Sequence, residues 1–135
     1  MSVPSAGLLD TSVFIADESG RTVGTFPARV AVSVVTIGEL QLGVLATTEP
    51  DLRARRADTL ALARTADPLP ITEAVMVAWA RLVNDCRAAG IQRAIRLTDA
   101  LIAATAVEHG LPVVTQDDDF ATIARAHPPL TVTPV

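Results

Sequence analysis

Short apolar runs rich in β-branched residues alternate along this chain with stretches in which apolar residues recur at helical spacing. The runs are typical of buried strands, and the stretches are typical of amphipathic helices. We predict strands within residues 7–12 and at 29–35, 68–71, 111–115 and 130–135. We predict helices at residues 36–45, 48–64, 72–90 and 98–110 and from 116 onward, with 16–27 as a loop. This alternation implies right-handed crossovers, and therefore a parallel sheet with helices on both faces.

The first strand lies at the centre of the predicted sheet and ends in an aspartate. Its residues read Gly7-Leu8-Leu9-Asp10-Thr11-Ser12. Because open α/β sheets bind ligands outside the carboxyl ends of their strands, Asp10 is well placed for chemistry. Taken alone, however, Asp10 is more simply explained as a cap of the following helix.

Three further acids reach the same edge of the sheet in this topology. Asp117 follows a strand directly, and Glu39 lies in the first turn of a helix that follows a strand. Asp99 lies in the first turn of a helix that precedes a strand. Crossover helices run antiparallel to their strands, so that helix also begins at the carboxyl edge. The sequence thus predicts that four carboxylates converge.

Each of these acids also has a simpler structural explanation. Thr36 and Glu39 form a capping-box pattern, which is the favoured interpretation for Glu39 alone. Asp99 could complement a helix dipole, and the acids at 117–119 could form a solvated cap. One shared cause nevertheless explains all these positions more simply than four coincidences.

A hard divalent cation would be such a cause. Mg²⁺ and Mn²⁺ prefer oxygen ligands, usually a few carboxylates together with water and substrate phosphate. Without a cation, packed carboxylates would raise one another's pKa values and cost stability. The chain has one cysteine and two histidines, so it offers no His/Cys grouping for zinc.

Composition narrows the possible functions further. With 135 residues, half of them hydrophobic, the chain is expected to form one domain with its own core. All 11 basic residues are arginine, and the absence of lysine excludes Schiff-base, P-loop and receiver-domain chemistry. The net charge of −4 argues against broad attraction to nucleic acid, but cations bound at an acid cluster would reverse the local field.

The remaining features favour a cytoplasmic location. No apolar run approaches the length of a membrane span, and residues 1–4 do not begin a signal peptide. The lone Cys86 excludes an internal disulfide and fits a reducing compartment. Trp79 and Cys86 recur at helical spacing, so we expect core or dimer contacts from them, and we expect His127 to be a loop residue.

Four motifs give the chain a resemblance to the PIN-domain ribonucleases, and within them to the VapC toxins of bacterial toxin–antitoxin pairs. They lie at residues 8–12 (LLDTS), 33–40 (SVVTIGEL), 97–104 (LTDALIAA) and 114–120 (VTQDDDF). Each is weak alone, but their order and spacing together are specific. The resemblance covers nearly the whole chain and implies a single α/β PIN domain over residues 1–135. Such a domain has a parallel sheet of about five short strands flanked by helices on both faces.

This resemblance also implies an activity and its partners. The expected activity is that of a Mg²⁺-dependent endoribonuclease, with Mn²⁺ as a substitute, silenced by a cognate antitoxin that is a small DNA-binding protein. A homodimer within a toxin–antitoxin complex is also implied. Matching the motifs position by position makes Asp10, Glu39, Asp99 and Asp117 catalytic. The expected metal ligands are Asp10, Asp99 and Asp117, with Glu39 and Asp119 as accessory ligands and Ser12 and Thr115 as supporting hydroxyls.

The sequence leaves open the role of two arginines and two alternative functions. Arg93 and Arg96 precede Asp99 and should approach the acidic edge, where they would contact RNA phosphates or remain solvated. A metal-dependent phosphatase of the haloacid-dehalogenase type would need an aspartate in place of Ser12, and a lysine. A catalytically silent binding partner with the same fold is the other alternative, which a cleavage assay would separate.

Overall fold

Four parallel strands form one sheet in the computed structural model, which describes residues 5–135. They are β1 (Ala6–Leu9), β2 (Arg29–Ala31), β3 (Val113–Thr115) and β4 (Val132–Pro134), in the order β2-β1-β3-β4. At the centre, β1 pairs Gly7 with Val30 on one side and Leu8 with Val113 on the other. Asp10 follows β1 directly, which is the predicted position at the carboxyl end of a central strand.

Six α-helices of the described chain flank this sheet. They are α1 (Thr11–Glu18), α2 (Val34–Leu45), α3 (Pro50–Arg64), α4 (Glu73–Ala88), α5 (Leu97–Glu108) and α6 (Asp119–Ala126), with a short 3-10 helix at Gln92–Ala94. Helices α1 to α3 cover one face of the sheet, and α4 to α6 cover the other. The predicted α/β architecture is confirmed.

The core explains why apolar residues follow one another in the central strands. Successive residues of a strand point to opposite faces of a sheet. Leu8 and Val113 accordingly pack among α4, α5 and α6, whereas Leu9 and Val114 pack against α1, α2 and α3. Burial on both faces removes any need for alternation with polar residues. The same packing holds the carboxyl ends of β1 and β3 side by side.

The fifth strand predicted at residues 68–71 is reduced to a single bridge. Leu69 pairs in parallel with Ser33, and its N–H donates to the Val32 carbonyl over 2.8 Å. The Leu69 carbonyl accepts from the Val34 N–H over 3.0 Å. Prolines at 68 and 70 have no N–H to donate, which limits the pairing to one residue.

Two predictions for residues 11–35 are wrong in their boundaries. The loop expected at 16–27 begins later, because Asp10 caps α1 and the helix continues to Glu18. The buried strand expected at 29–35 is a short edge strand in which Arg29 and Val30 are exposed. Ser33 ends it by capping α2, its Oγ accepting from the Val35 N–H over 3.1 Å.

His127 lies in the loop after α6, as predicted, but its side chain is buried. It follows α6 directly and places Nδ1 2.7 Å from Oδ2 of Asp85 in α4. Cys86 lies in the core, and Trp79 packs at its margin, in agreement with their helical spacing.

No helix within residues 5–135 combines the length and the apolar character needed to cross a membrane. The prediction about a signal peptide concerns residues 1–4, which lie outside the described residues.

Gly7→Ala is expected to destabilise the fold by about 1–3 kcal/mol, as overpacking usually does. A Cβ at residue 7 would lie 2.6 Å from Cγ2 of Val114 and 3.1 Å from Cγ of Pro27. Gly38→Ala is the matched control, because a Cβ there meets nothing within 4 Å. In the helix α2 it should stabilise by about 0.5–1 kcal/mol. Urea denaturation measures both, and equal midpoints for the two variants would contradict tight packing of β1 on β3.

Candidate active site

A chain of hydrogen bonds holds Asp10 at the end of β1. Thr115 Oγ1 donates to Asp10 Oδ2 over 3.0 Å, and the Ser12 N–H donates to the same oxygen over 3.3 Å. Since the single Thr115 hydroxyl proton goes to the carboxylate, Ser12 Oγ donates in its 3.2 Å contact with Thr115 Oγ1. The Gln116 N–H in turn donates to Ser12 Oγ over 3.1 Å. Asp10 is 3% exposed, so these bonds fix its carboxylate against β3.

Glu39 reaches the same edge from the second turn of α2. Its Oε1 accepts from Thr11 Oγ1 over 2.8 Å, and Thr36 Oγ1 lies 3.0 Å from that hydroxyl. Its Oε2 accepts from the Arg96 guanidinium over 3.2 Å. Because Ser33 caps α2, the capping-box interpretation of Thr36 and Glu39 is wrong.

Asp99 lies in the first turn of α5 and is 5% exposed. Its Oδ2 is buried and has no hydrogen-bond partner among the described residues. The pKa of Asp99 is raised from 3.8 to about 6, chiefly because burial disfavours the charged carboxylate. The charge of Arg96 lowers this pKa, whereas those of Asp10, Asp117 and Glu39 raise it. A buried carboxylate oxygen in such surroundings is suited to a cation.

Asp117 joins the cluster from the turn after β3, and Asp119 joins it as the first residue of α6. One carboxylate oxygen from each of Asp99, Asp117 and Asp119 lies within 4.8 Å of the others. The Asp117 N–H donates to Thr115 Oγ1 over 2.9 Å, and Asp117 Oδ1 accepts from the Asp119 N–H over 3.0 Å. Asp117 is thereby held half-buried, while Asp119 is exposed.

The four predicted acids line one cavity of about 370 Å³. Asp10, Glu39, Asp99 and Asp117 share its wall with Ser12 and Arg96, among others. Arg93 lies in the 3-10 helix before α5, is exposed, and is not part of the lining.

This donor set fits a hard divalent cation. Asp99, Asp117 and Asp119 place oxygens close enough to bind one ion together, and Asp10 lines the cavity with Asp99 and Asp117. A cation there would give Asp99 Oδ2 a partner and offset the repulsion among the carboxylates.

The sequence analysis gave three residues of this site no role in it. Thr11 and Thr36 form the hydroxyl pair behind Glu39, and the available signal was their position in the motifs that carry Asp10 and Glu39. Gln116 Nε2 donates to the carbonyls of Thr22 and Val135, each over 3.1 Å. Those partners belong to segments whose approach no local pattern predicts.

Comparison with known proteins identifies the family. The family model described as the PIN domain matches residues 7–126, a span that contains every acid of the cluster. The chain belongs to the PIN-domain family.

Among PIN-domain proteins, the chain is similar to named mycobacterial ribonucleases. Ribonuclease VapC8 of Mycobacterium tuberculosis (strain CDC 1551 / Oshkosh) is 68% identical over 100 residues, which cover 74% of this chain and 89% of that protein. Ribonuclease VapC5 of Mycobacterium tuberculosis (strain ATCC 25618 / H37Rv) is 47% identical over 127 residues, 93% of each chain. The resemblance to VapC proteins inferred from the four motifs is confirmed.

A solved structure supports the same assignment. A chain in the crystal structure of VapBC-5 from Mycobacterium tuberculosis, a member of the VapBC family of toxin–antitoxin systems, superposes with a TM-score of 0.81. The two chains are 42% identical, and the superposition covers 98% of each. The PIN fold of the chain is therefore shared along almost its entire length.

Proposed function

We propose that this PIN-domain protein is a Mg²⁺-dependent endoribonuclease, with Mn²⁺ as a substitute metal, and the toxin of a toxin–antitoxin pair. Two observations carry the proposal: the carboxylates of Asp99, Asp117 and Asp119 are grouped, and the buried Oδ2 of Asp99 has no hydrogen-bond partner among the described residues. The similarity to proteins named Ribonuclease VapC8 and Ribonuclease VapC5 supports RNA as the substrate.

The acidic residues of the cluster would contribute unequally to metal binding. Asp10, Asp99 and Asp117, which line the cavity, would be the main ligands of the metal, and the exposed Asp119 would assist beside Asp99 and Asp117. When bound, a divalent cation supplies positive charge for the scissile phosphate and lowers the pKa of an attacking water.

The neighbouring side chains orient these ligands and move the proton. Ser12 and Thr115 keep the Asp10 carboxylate in one position through their hydrogen bonds. Glu39 would accept the proton of the attacking water at Oε2, because Oε1 already accepts a hydrogen bond from Thr11. Oε2 accepts a hydrogen bond from Arg96, so the guanidinium has to leave before the proton can be transferred.

The purified protein is expected to cut RNA in Mg²⁺ or Mn²⁺ and to lose this activity in EDTA. Cleavage of end-labelled RNA on denaturing gels measures it, and addition of excess Mg²⁺ to the EDTA sample should restore it. Undiminished cleavage in EDTA would contradict the metal-dependent mechanism.

The two alternative functions are less well supported. A phosphatase of the haloacid-dehalogenase type needs an aspartate where this chain has Ser12, and the Ser12 hydroxyl is already bonded to Thr115 and Gln116. A catalytically silent binding partner would bind the metal and cut no RNA.

The proposed partners are a cognate antitoxin and a second copy of the chain, in the cytoplasm. The similar structure is of a toxin–antitoxin system, which supports an antitoxin as the inhibitor, and we propose that this antitoxin is a small DNA-binding protein. Adding the purified cognate antitoxin to the RNA cleavage assay should therefore suppress cleavage.

Arg93→Ala combined with Arg96→Ala is expected to weaken RNA binding evenly across sequences. Both arginines lie just before Asp99 in the sequence, where they could contact RNA phosphates. Phosphate contacts determine the affinity for RNA and carry no information about its sequence. The salt slope of log K should fall by about 0.7 for each RNA phosphate that the variant no longer neutralises. Binding titrations at several salt concentrations measure this, with the exposed Arg81→Ala in α4 as the control. An unchanged slope would place both arginines in the solvated surface.

A further inference from the structure

Among the described residues that line the acidic cavity, Arg96 carries the only positive charge. Its Nη2 lies 3.2 Å from Glu39 Oε2 and 3.4 Å from Thr98 Oγ1. The Arg96 side chain is 64% exposed, and that of Glu39 is 21% exposed. An ion pair so open to water contributes little stability, so the guanidinium can leave Glu39 at small cost.

We propose that Arg96 is an internal counter-ion of Glu39, which a divalent cation and an RNA phosphate displace together. This proposal rests on the proposed function, in which a divalent cation and RNA are the two ligands of the site. In the metal-free cavity the guanidinium offsets part of the carboxylate charge. A divalent cation brings positive charge into the same space and repels it. An RNA phosphate then offers Arg96 another anion that matches its planar fork.

Displacement of one side chain would couple the two ligands. Both favour the position in which Arg96 has left Glu39, so each should raise the affinity for the other by the same factor. The same movement frees Glu39 Oε2, the atom that accepts the proton in the proposed reaction. The site would therefore be fully assembled only when metal and RNA are both bound.

Removal of the guanidinium separates these effects. Without Arg96, a metal ion no longer has to displace a cation, so Arg96→Ala should bind Mn²⁺ about fivefold more tightly than the wild type. An oligonucleotide should tighten Mn²⁺ binding to the wild type by a factor about five times larger than in Arg96→Ala, where only the direct attraction between the metal and the phosphates remains.

The experiment is a Mn²⁺ titration followed by electron paramagnetic resonance. It compares the wild type with Arg96→Ala and Arg96→Gln, the second of which keeps a polar side chain at this position. Arg81→Ala, an exposed arginine of α4 outside the cavity, is the control and should match the wild type. Each protein is titrated alone and with a short single-stranded DNA oligonucleotide, which supplies phosphates without 2′-hydroxyl groups. Thermal melts of all four proteins confirm that they are folded.

The outcomes distinguish this proposal from the proposed function. Unchanged or weaker Mn²⁺ binding in both Arg96 variants would overturn the counter-ion role, as would full coupling to the oligonucleotide in Arg96→Ala. Tighter Mn²⁺ binding in the variants, together with a wild type that cuts no RNA, would support the counter-ion and overturn the ribonuclease. Absence of Mn²⁺ binding in every protein would overturn both.

Discussion

Asp10→Asn is expected to lower the rate of RNA cleavage in Mg²⁺ by about a thousandfold. The carboxylate faces the acidic cavity and is held there by Ser12 and Thr115. An asparagine keeps the shape, and its carbonyl can still accept from Thr115. What it removes is one negative charge from the metal-binding set, on which several kcal/mol of transition-state stabilisation depend. Expression of the variant should likewise no longer be toxic.

A variant of Thr115 separates the ligand from the group that orients it. Thr115→Val keeps the charge of Asp10 and removes the 3.0 Å hydrogen bond to its Oδ2, together with the bonds that Thr115 Oγ1 accepts from Ser12 Oγ and from the Asp117 N–H. The expected loss is smaller, about tenfold to a hundredfold, as for other groups that orient metal ligands. Thr115→Ser restores the donor and should recover most of the activity.

Single-turnover cleavage of labelled RNA measures these rates, with Asp58→Asn as the control. Asp58 is exposed on α3 and lies outside the acidic cavity. A rate for Asp10→Asn that equals that of the control would exclude Asp10 from the reaction.

Asp99→Asn is expected to raise the unfolding temperature of the metal-free protein while it abolishes cleavage. The pKa of Asp99 is about 6 in the folded protein, against an ordinary value of 3.8, chiefly because the carboxylate is buried. At pH 8 the ionised group therefore costs the folded state up to about 3 kcal/mol. An amide avoids this cost, so the unfolding midpoint in EDTA should rise by roughly 5–10 °C.

The pH dependence follows from the direction of this shift. Since the folded state binds the proton more tightly than the unfolded state, protonated Asp99 stabilises the fold at low pH. That contribution is complete below about pH 4, is lost as the pH rises to about 6, and is absent above it. The midpoints of the wild type and Asp99→Asn should therefore agree at pH 4 and diverge by pH 8.

Thermal melts at both pH values, in EDTA and in Mg²⁺, test this expectation, with Asp58→Asn as the control. Mg²⁺ should raise the midpoint of the wild type at pH 8 more than that of Asp99→Asn, because the metal stabilises only the state that binds it. A variant that is less stable in EDTA and responds equally to Mg²⁺ would show that Asp99 serves its helix and binds no ion.

Convergence of the acids was predictable because it follows from topology. In a parallel sheet with crossover helices, a residue just after a strand and a residue in the first turn of a crossover helix share one edge. The order of strands and helices was enough to place Asp10, Asp99 and Asp117 at this edge. Asp119 was predicted only as an accessory ligand, but one of its carboxylate oxygens lies within 4.8 Å of oxygens of Asp99 and Asp117.

The contacts between side chains were not predictable in the same way. Thr36 and Glu39 look like a capping box in sequence, yet Ser33 begins the helix earlier because Leu69 pairs with its backbone. Thr36 is thereby released to pair with Thr11, and Glu39 is released to meet Arg96. These outcomes depend on tertiary pairings that no local pattern contains.

The pairing of β1 with β3 also determines when the site forms during synthesis. Leu8 pairs with Val113 and Leu9 with Val114, so closing this pair joins the two ends of nearly the whole chain. Loop closure must precede the contacts that reward it, which makes such pairings slow. A growing polypeptide presents Asp10 and Glu39 early but lacks Asp99 and Asp117 until most of it has emerged. A nascent chain therefore cannot assemble the complete acid cluster before most of its residues have emerged and β3 has paired with β1.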